Sequence, residues 1–248
     1  MNLAMNSEAT RTGLHPDRRT PVEGRFTGRI AGLVLLLVAS VTCALSWPRL
    51  QASLRYLPVD AAIGRYFETR EIPSTQLPHL LARAETSLAL HEHYRYWQGL
   101  GLLHYLQALD EQTAAWERQP ALRRSLAAGL KMVSRAPVNP YGWLQVAQAR
   151  SALGESSETV IQALEMSLLT GRVEPHLMLP RIELGMRHVD AMSEAQAAQL
   201  GDQTALAWRL DPGRFLRALR EQRLELDLVR RVLSKGHGDV LEALEARL

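Results

Sequence analysis

Between Ile30 and Trp47 the chain runs for 18 residues, IAGLVLLLVASVTCALSW, without a charged side chain. No other stretch limits so strongly what the chain can fold into. About 20 apolar residues in a helix match the hydrocarbon thickness of a bilayer, and flanking residues that snorkel complete a slightly shorter run. Ile30, Leu36 and Trp47 mark its start, middle and end, and Trp47 stands where an interfacial aromatic belongs. Arg11, Arg18, Arg19, Arg25 and Arg29 precede the run, whereas only Arg49 and Arg55 follow closely. The positive-inside bias therefore places the N-terminus in the cytoplasm and residues 49–248 across the membrane. A cleaved signal peptide and a buried core helix are the competing readings. The long basic leader and the lack of an A-x-A site favour an uncleaved anchor. Ser40-Val41-Thr42 before Cys43 fits a lipoprotein site poorly.

The remainder reads as helix after helix. Apolar residues at Val160, Ile161, Leu164 and Leu168 fall on one helical face, and Phe215, Leu219, Leu226, Val229 and Leu233 repeat the stripe. Helices are expected at 77–90, 94–111, 119–135, 140–153, 157–170, 175–190, 193–210, 213–234 and 238–247. Leu50 to Arg70 is helical in pattern but interrupted at Pro58. Ser193-Glu194-Ala195-Gln196 is a capping box. No segment alternates apolar and polar residues with β-branched enrichment, so no strand is expected.

Helix-end punctuation at Pro137, Gly171 and Pro212 is spaced by 34 and 41 residues. A 34-residue helix–turn–helix is the tetratricopeptide period. The best unit holds Pro140-Tyr141-Gly142-Trp143, then Val146-Ala147, then Val160, Leu164 and Ser167. Trp143 takes the motif's Trp position, and Val146-Ala147 its Leu-Gly pair. AWRLDP, Ala207 to Pro212, is similar to the motif's closing end, and Leu88 to Trp97 to an inter-repeat join. On these residues, 77–212 resembles the tetratricopeptide superfamily, with Arg150 standing where the motif has an aromatic. The alternative is an irregular helical bundle. The layout, with the junction Ala136-Pro137-Val138-Asn139-Pro140-Tyr141-Gly142-Trp143, also resembles membrane-anchored accessory proteins of bacterial exopolysaccharide and biofilm-matrix clusters.

The expected organisation is all-α. A disordered cytoplasmic tail (1–29) leads into a transmembrane helix (30–48) and a connecting helical segment (49–76). Tetratricopeptide-like hairpins in a solenoid (77–212) and C-terminal capping helices (213–248) follow. Solenoids bind partners in a groove formed by the first helix of each hairpin. That places Tyr141, Gln145, Gln148, Arg150 and Arg181 in a partner groove.

Chemistry is scarcer. Arginines and acids interleave and the net charge is only +3, so no nucleic-acid footprint stands out. One cysteine excludes an internal disulfide and any Cys-based zinc cluster. His91-Glu92-His93 cannot share a metal on a helix, where residues two apart diverge by about 200°; in an extended break the two histidines could, with a third ligand from elsewhere, but the stretch reads as a polar turn. HExxH, Walker, GxSxG and dinucleotide signatures are absent. No catalytic residue, metal or cofactor is therefore expected. The resemblance implies a non-catalytic scaffold of the bacterial inner membrane, its C-terminal domain periplasmic, binding envelope proteins in polysaccharide biosynthesis or export. An enzyme on a helical scaffold and an anchored secretion chaperone remain the alternatives.

Overall fold

The structure, a computed structural model, describes residues 23–248, with side chains from residue 29 onward. The expected tail lies largely outside the described residues, and the first helix, α1 (Glu23–Thr69), begins within its last seven positions. The chain divides into two compact units at Trp47/Pro48.

The first unit contains the apolar run. The run is fully helical, and α1 is the one described helix long and apolar enough to cross a membrane. Ile30, Leu36 and Trp47 are 53%, 65% and 58% exposed, so the run buries nothing within the protein. The two hydroxyls inside it are satisfied by their own helix. Ser40 donates to the Leu36 carbonyl and Thr42 to the Val38 carbonyl, each at 2.8 Å. Neither carries an unmet hydrogen bond into an apolar medium.

The second unit begins with the rest of α1. Pro58 does not interrupt it as the sequence reading expects; the helix passes through Pro58 to Thr69. An interior proline costs about 3 kcal/mol through a lost hydrogen bond and a ring clash. Burial offsets that cost. Tyr56, Val59, Ala62 and Ile63 form a core with Leu77, Leu80, Leu81 and Ala84 of α2 (Leu77–Leu90) and with Tyr96, Leu100 and Leu103 of α3 (Tyr94–Leu109).

The remaining helices are α4 (Ala115–Arg135), α5 (Pro140–Leu153), α6 (Ser157–Thr170), α7 (Pro175–Arg187), α8 (Glu194–Leu210), α9 (Pro212–Arg220), α10 (Leu226–Leu233) and α11 (Gly238–Glu245). Among the described residues there is no strand. Local chemistry sets several starts. The Asn139 side chain accepts from the Tyr141 amide, Ser156 from Thr159, and Asp211 from Arg214. The capping box at Ser193 forms reciprocally with Gln196.

Each helix from α2 to α8 packs on its successor; in addition α3 packs on α5 and α5 on α7. Leu144, Val146, Ala147, Val160, Leu164, Leu177 and Leu184 make a core between α5, α6 and α7. Met178, Ile182, Leu200, Trp208, Phe215, Val229, Leu233 and Leu244 make another across α7 to α11.

The single helix expected over 213–234 is two. After Arg220 the chain turns through Gln222, whose φ of 56° is left-handed. The Arg223 amide reaches back to the Ala218 carbonyl and the Gln222 amide to Leu219, a Schellman closure built without glycine. The break places Leu224, 3% exposed, into the C-terminal core. That burial offsets the left-handed strain of about 1–2 kcal/mol.

Candidate functional site

Because α5 touches both α3 and α7, these three helices present one shared face. A pocket lies on it, lined by Gln98, Leu102 and Tyr105 of α3, by Tyr141, Leu144, Gln145 and Gln148 of α5, and by His176, Leu177 and Pro180 of α7. The end of α1 supplies Tyr66, Phe67 and Arg70. Phe67 is the wedge. Its ring meets Tyr141 edge-on at 5.7 Å and lies 5.6 Å from the His176 ring. With Phe67 in place the enclosed volume is about 50 Å³. That space accepts a few waters or one small side chain, well below the roughly 300 Å³ of a small-molecule site.

The lining combines ring faces with amides and one cation. Arg70 has a left-handed φ of 63° and its guanidinium carbon sits 5.8 Å above the Tyr66 ring. Its Nη2 is buried without a partner. The Gln145 side chain is 6% exposed and its Nε2 also lacks a partner. That amide lies directly over Gly101 of α3, where a Cβ would come within 1.5 Å of it. Burial pushes the Tyr105 hydroxyl above its usual pKa, and burial with nearby Glu174 does the same for Tyr141. Both stay neutral donors at physiological pH. The site therefore offers stacking faces and unspent hydrogen bonds.

Of the five residues expected in a groove, Tyr141, Gln145 and Gln148 line this pocket, whereas Arg150 and Arg181 do not. Arg150 turns to the α5–α6 corner, where it donates to the Thr159 carbonyl at 3.0 Å and faces Glu155 at 3.5 Å. Arg181 is wholly buried. Its Nε donates to Ser167 Oγ at 3.0 Å, and its Nη groups to the carbonyls of Ser167 at 2.6 Å and Gly171 at 2.8 Å. Ser167 in turn donates to the Pro140 carbonyl at 2.8 Å. The guanidinium closes the C-terminus of α6, the negative pole of that helix, and ties α5, α6 and α7 together. Burial lowers its pKa to about 10.

Sequence reasoning missed the α3 and α1 residues. A signal was available for α3. Gln98, Leu102 and Tyr105 stand at i, i+4 and i+7, the same spacing as Tyr141, Gln145 and Gln148. For α1 no local signal exists, since its end reaches this face only through the fold.

The polar turn at His91–His93 has its own partners. Glu92 accepts from Trp97 Nε1 at 3.1 Å and pairs with Arg135, which holds its carboxyl below the usual range. Among the described residues no three His, Cys, Asp or Glu side chains converge on a metal-sized space. His188 bridges Ser151 and Ser157 at 2.9 and 3.0 Å.

Among the described residues the fold is all-α, with one apolar helix of membrane-spanning length. No protein-family model, no curated protein and no solved structure matches it.

Proposed function

We propose that this chain is a membrane-anchored, non-catalytic scaffold of the bacterial envelope. Ile30–Trp47 holds it in the inner membrane with its N-terminus in the cytoplasm, and the helical unit after it is periplasmic and of degenerate tetratricopeptide type. It binds an envelope protein through the α3–α5–α7 face, in the service of polysaccharide biosynthesis or export.

One observation carries the reading. Two helices that pack on each other present matching i, i+4, i+7 rows, Gln98-Leu102-Tyr105 and Tyr141-Gln145-Gln148, and α7 extends the face with His176 and Pro180. Aromatic rings and amides on neighbouring helices suit an extended partner, because rings supply rigid contact area and amides adapt their hydrogen bonds. The small enclosed volume fits a partner's single side chain better than a free metabolite.

Two measurements test this. Alkaline phosphatase fused after Leu248 is expected to be active; an inactive fusion removes the periplasmic placement. A photo-crosslinking residue at Gln148 is expected to capture an envelope protein that the same residue at Glu158, exposed on α6, does not. Equal capture at both positions overturns the assignment of the face.

A further inference from the structure

A second cleft shares no lining residue with the first. It measures about 400 Å³ and is lined by Arg49, Ser53, Tyr56, Leu57 and Asp60 of α1 together with His91, His93, Arg95 and Tyr96. Arg49, Ser53, Tyr56 and Asp60 stand at i, i+4, i+7 and i+11, one stripe along the helix. The opposite wall is the extended link between α2 and α3, which presents two imidazoles 6.4 Å apart, followed by the first turn of α3. Asp60 is engaged by Arg95 at 2.9 Å. Among the described residues no carboxylate pairs with Arg49. The cleft therefore carries one uncompensated positive charge, and the N-terminal pole of the 16-residue α3 adds to it. Burial lowers the pKa of the His93 imidazole, with smaller contributions from His91 and Arg95.

Beside this cleft α1 keeps an apolar stripe. Leu50, Leu54 and Leu57 stand at i, i+4 and i+7 and are 50%, 56% and 58% exposed. Arg49 follows Trp47 by two residues, about 3 Å of helix rise, which is headgroup depth if Ile30–Trp47 spans the bilayer.

We infer that the Arg49–His93–Arg95 cleft binds the phosphodiester headgroup of an anionic lipid. Arg49 makes the charge-assisted contact to the phosphate, and its wall of hydroxyls and imidazoles accommodates the rest of the headgroup. The inference rests on the anchor reading of Ile30–Trp47, not on the partner face.

The test uses the full chain in a neutral detergent, titrated with phosphatidylglycerol, phosphatidylcholine and inorganic phosphate and followed by native mass spectrometry. Phosphatidylglycerol is expected to be retained over phosphatidylcholine. Arg49→Gln is expected to weaken that retention about fivefold, the value of one arginine at an anionic surface. Arg55→Gln, an equal loss of charge on the same helix outside the cleft, is expected to change nothing. Equal retention in wild type and Arg49→Gln, or equal losses in both variants, overturns the site. Displacement of the lipid by an equal concentration of inorganic phosphate overturns the lipid as its source. Flotation with phosphatidylcholine liposomes reads the anchor separately. Failure to float removes the anchor and the lipid proposal together, while flotation with no lipid preference removes the proposal alone.

Discussion

Arg181 shows how one side chain decides a junction. A guanidinium that forms no ion pair among the described residues, with only the field of Glu174 favouring its charge, is costly to bury, yet it satisfies two C-terminal carbonyls of α6 and the Ser167 hydroxyl at once. Removing it leaves those acceptors buried and unmet. Arg181→Met is expected to destabilise the protein by about 3 kcal/mol, within the range for breaking a buried polar network. For a chain of this size that corresponds to about 9 °C in Tm by differential scanning fluorimetry. Arg181→Lys is expected to recover only part, because an ammonium cannot supply the planar fork. Recovery to wild-type Tm with lysine would show that charge alone, and not the fork, holds the junction.

At the scale of elements, close approach is what the helix pairs depend on. A Cβ at Gly201 of α8 would lie 2.7 Å from the Val232 carbonyl oxygen of α10. That neighbour is backbone and cannot rotate away. Gly201→Ala is expected to cost about 2 kcal/mol as the two helices are pushed apart. Gly64 of α1, exposed and with nothing within 4 Å of its Cβ direction, is the contrast. Gly64→Ala is expected to stabilise by up to about 1 kcal/mol through helix propensity. Thermal melts of the two variants in the same detergent should move in opposite directions; shifts of the same sign would refute the packing argument for Gly201.

The whole molecule should be sensitive to acid. His104 is 3% exposed, and its imidazole is held below the ordinary value by burial, with Gln107 opposing through a hydrogen bond. Burial also lowers His188, with Arg187 adding to it, and His93 shifts the same way. The unfolded chain therefore takes up protons at these sites before the folded chain does. Their contribution is fully present above the unfolded value of about 6.5 and is lost as pH falls from there through the lowered folded values. Tm is expected to fall between pH 7.5 and 5, and His104→Gln to flatten that fall. An unchanged slope in the variant would move the cause to the other two histidines.

Much of the helical order was legible in the residues. Asn139-Pro140, Ser156 and the Ser193–Gln196 box are local devices whose partners lie two or three residues away, so the starts of α5, α6 and α8 follow from sequence. The apolar run required a helix for the same reason, since its backbone can be satisfied only within itself in an apolar medium. Three features were not legible. The passage of α1 through Pro58 rests on burial against α2 and α3, and the break before Leu224 on a core position reached from α7 to α11. The third is the placement of Arg181 and Phe67. Arg181 reads as a polar surface residue until its acceptors, 10 and 14 positions earlier, are brought beside it. Phe67 reads as part of a linker until it meets Tyr141 and His176. Sequence alone settled what the backbone and its nearest neighbours can satisfy. Tertiary structure settled which side chains are spent inside the fold and which keep unmet hydrogen bonds, because that depends on groups the chain brings together from far apart.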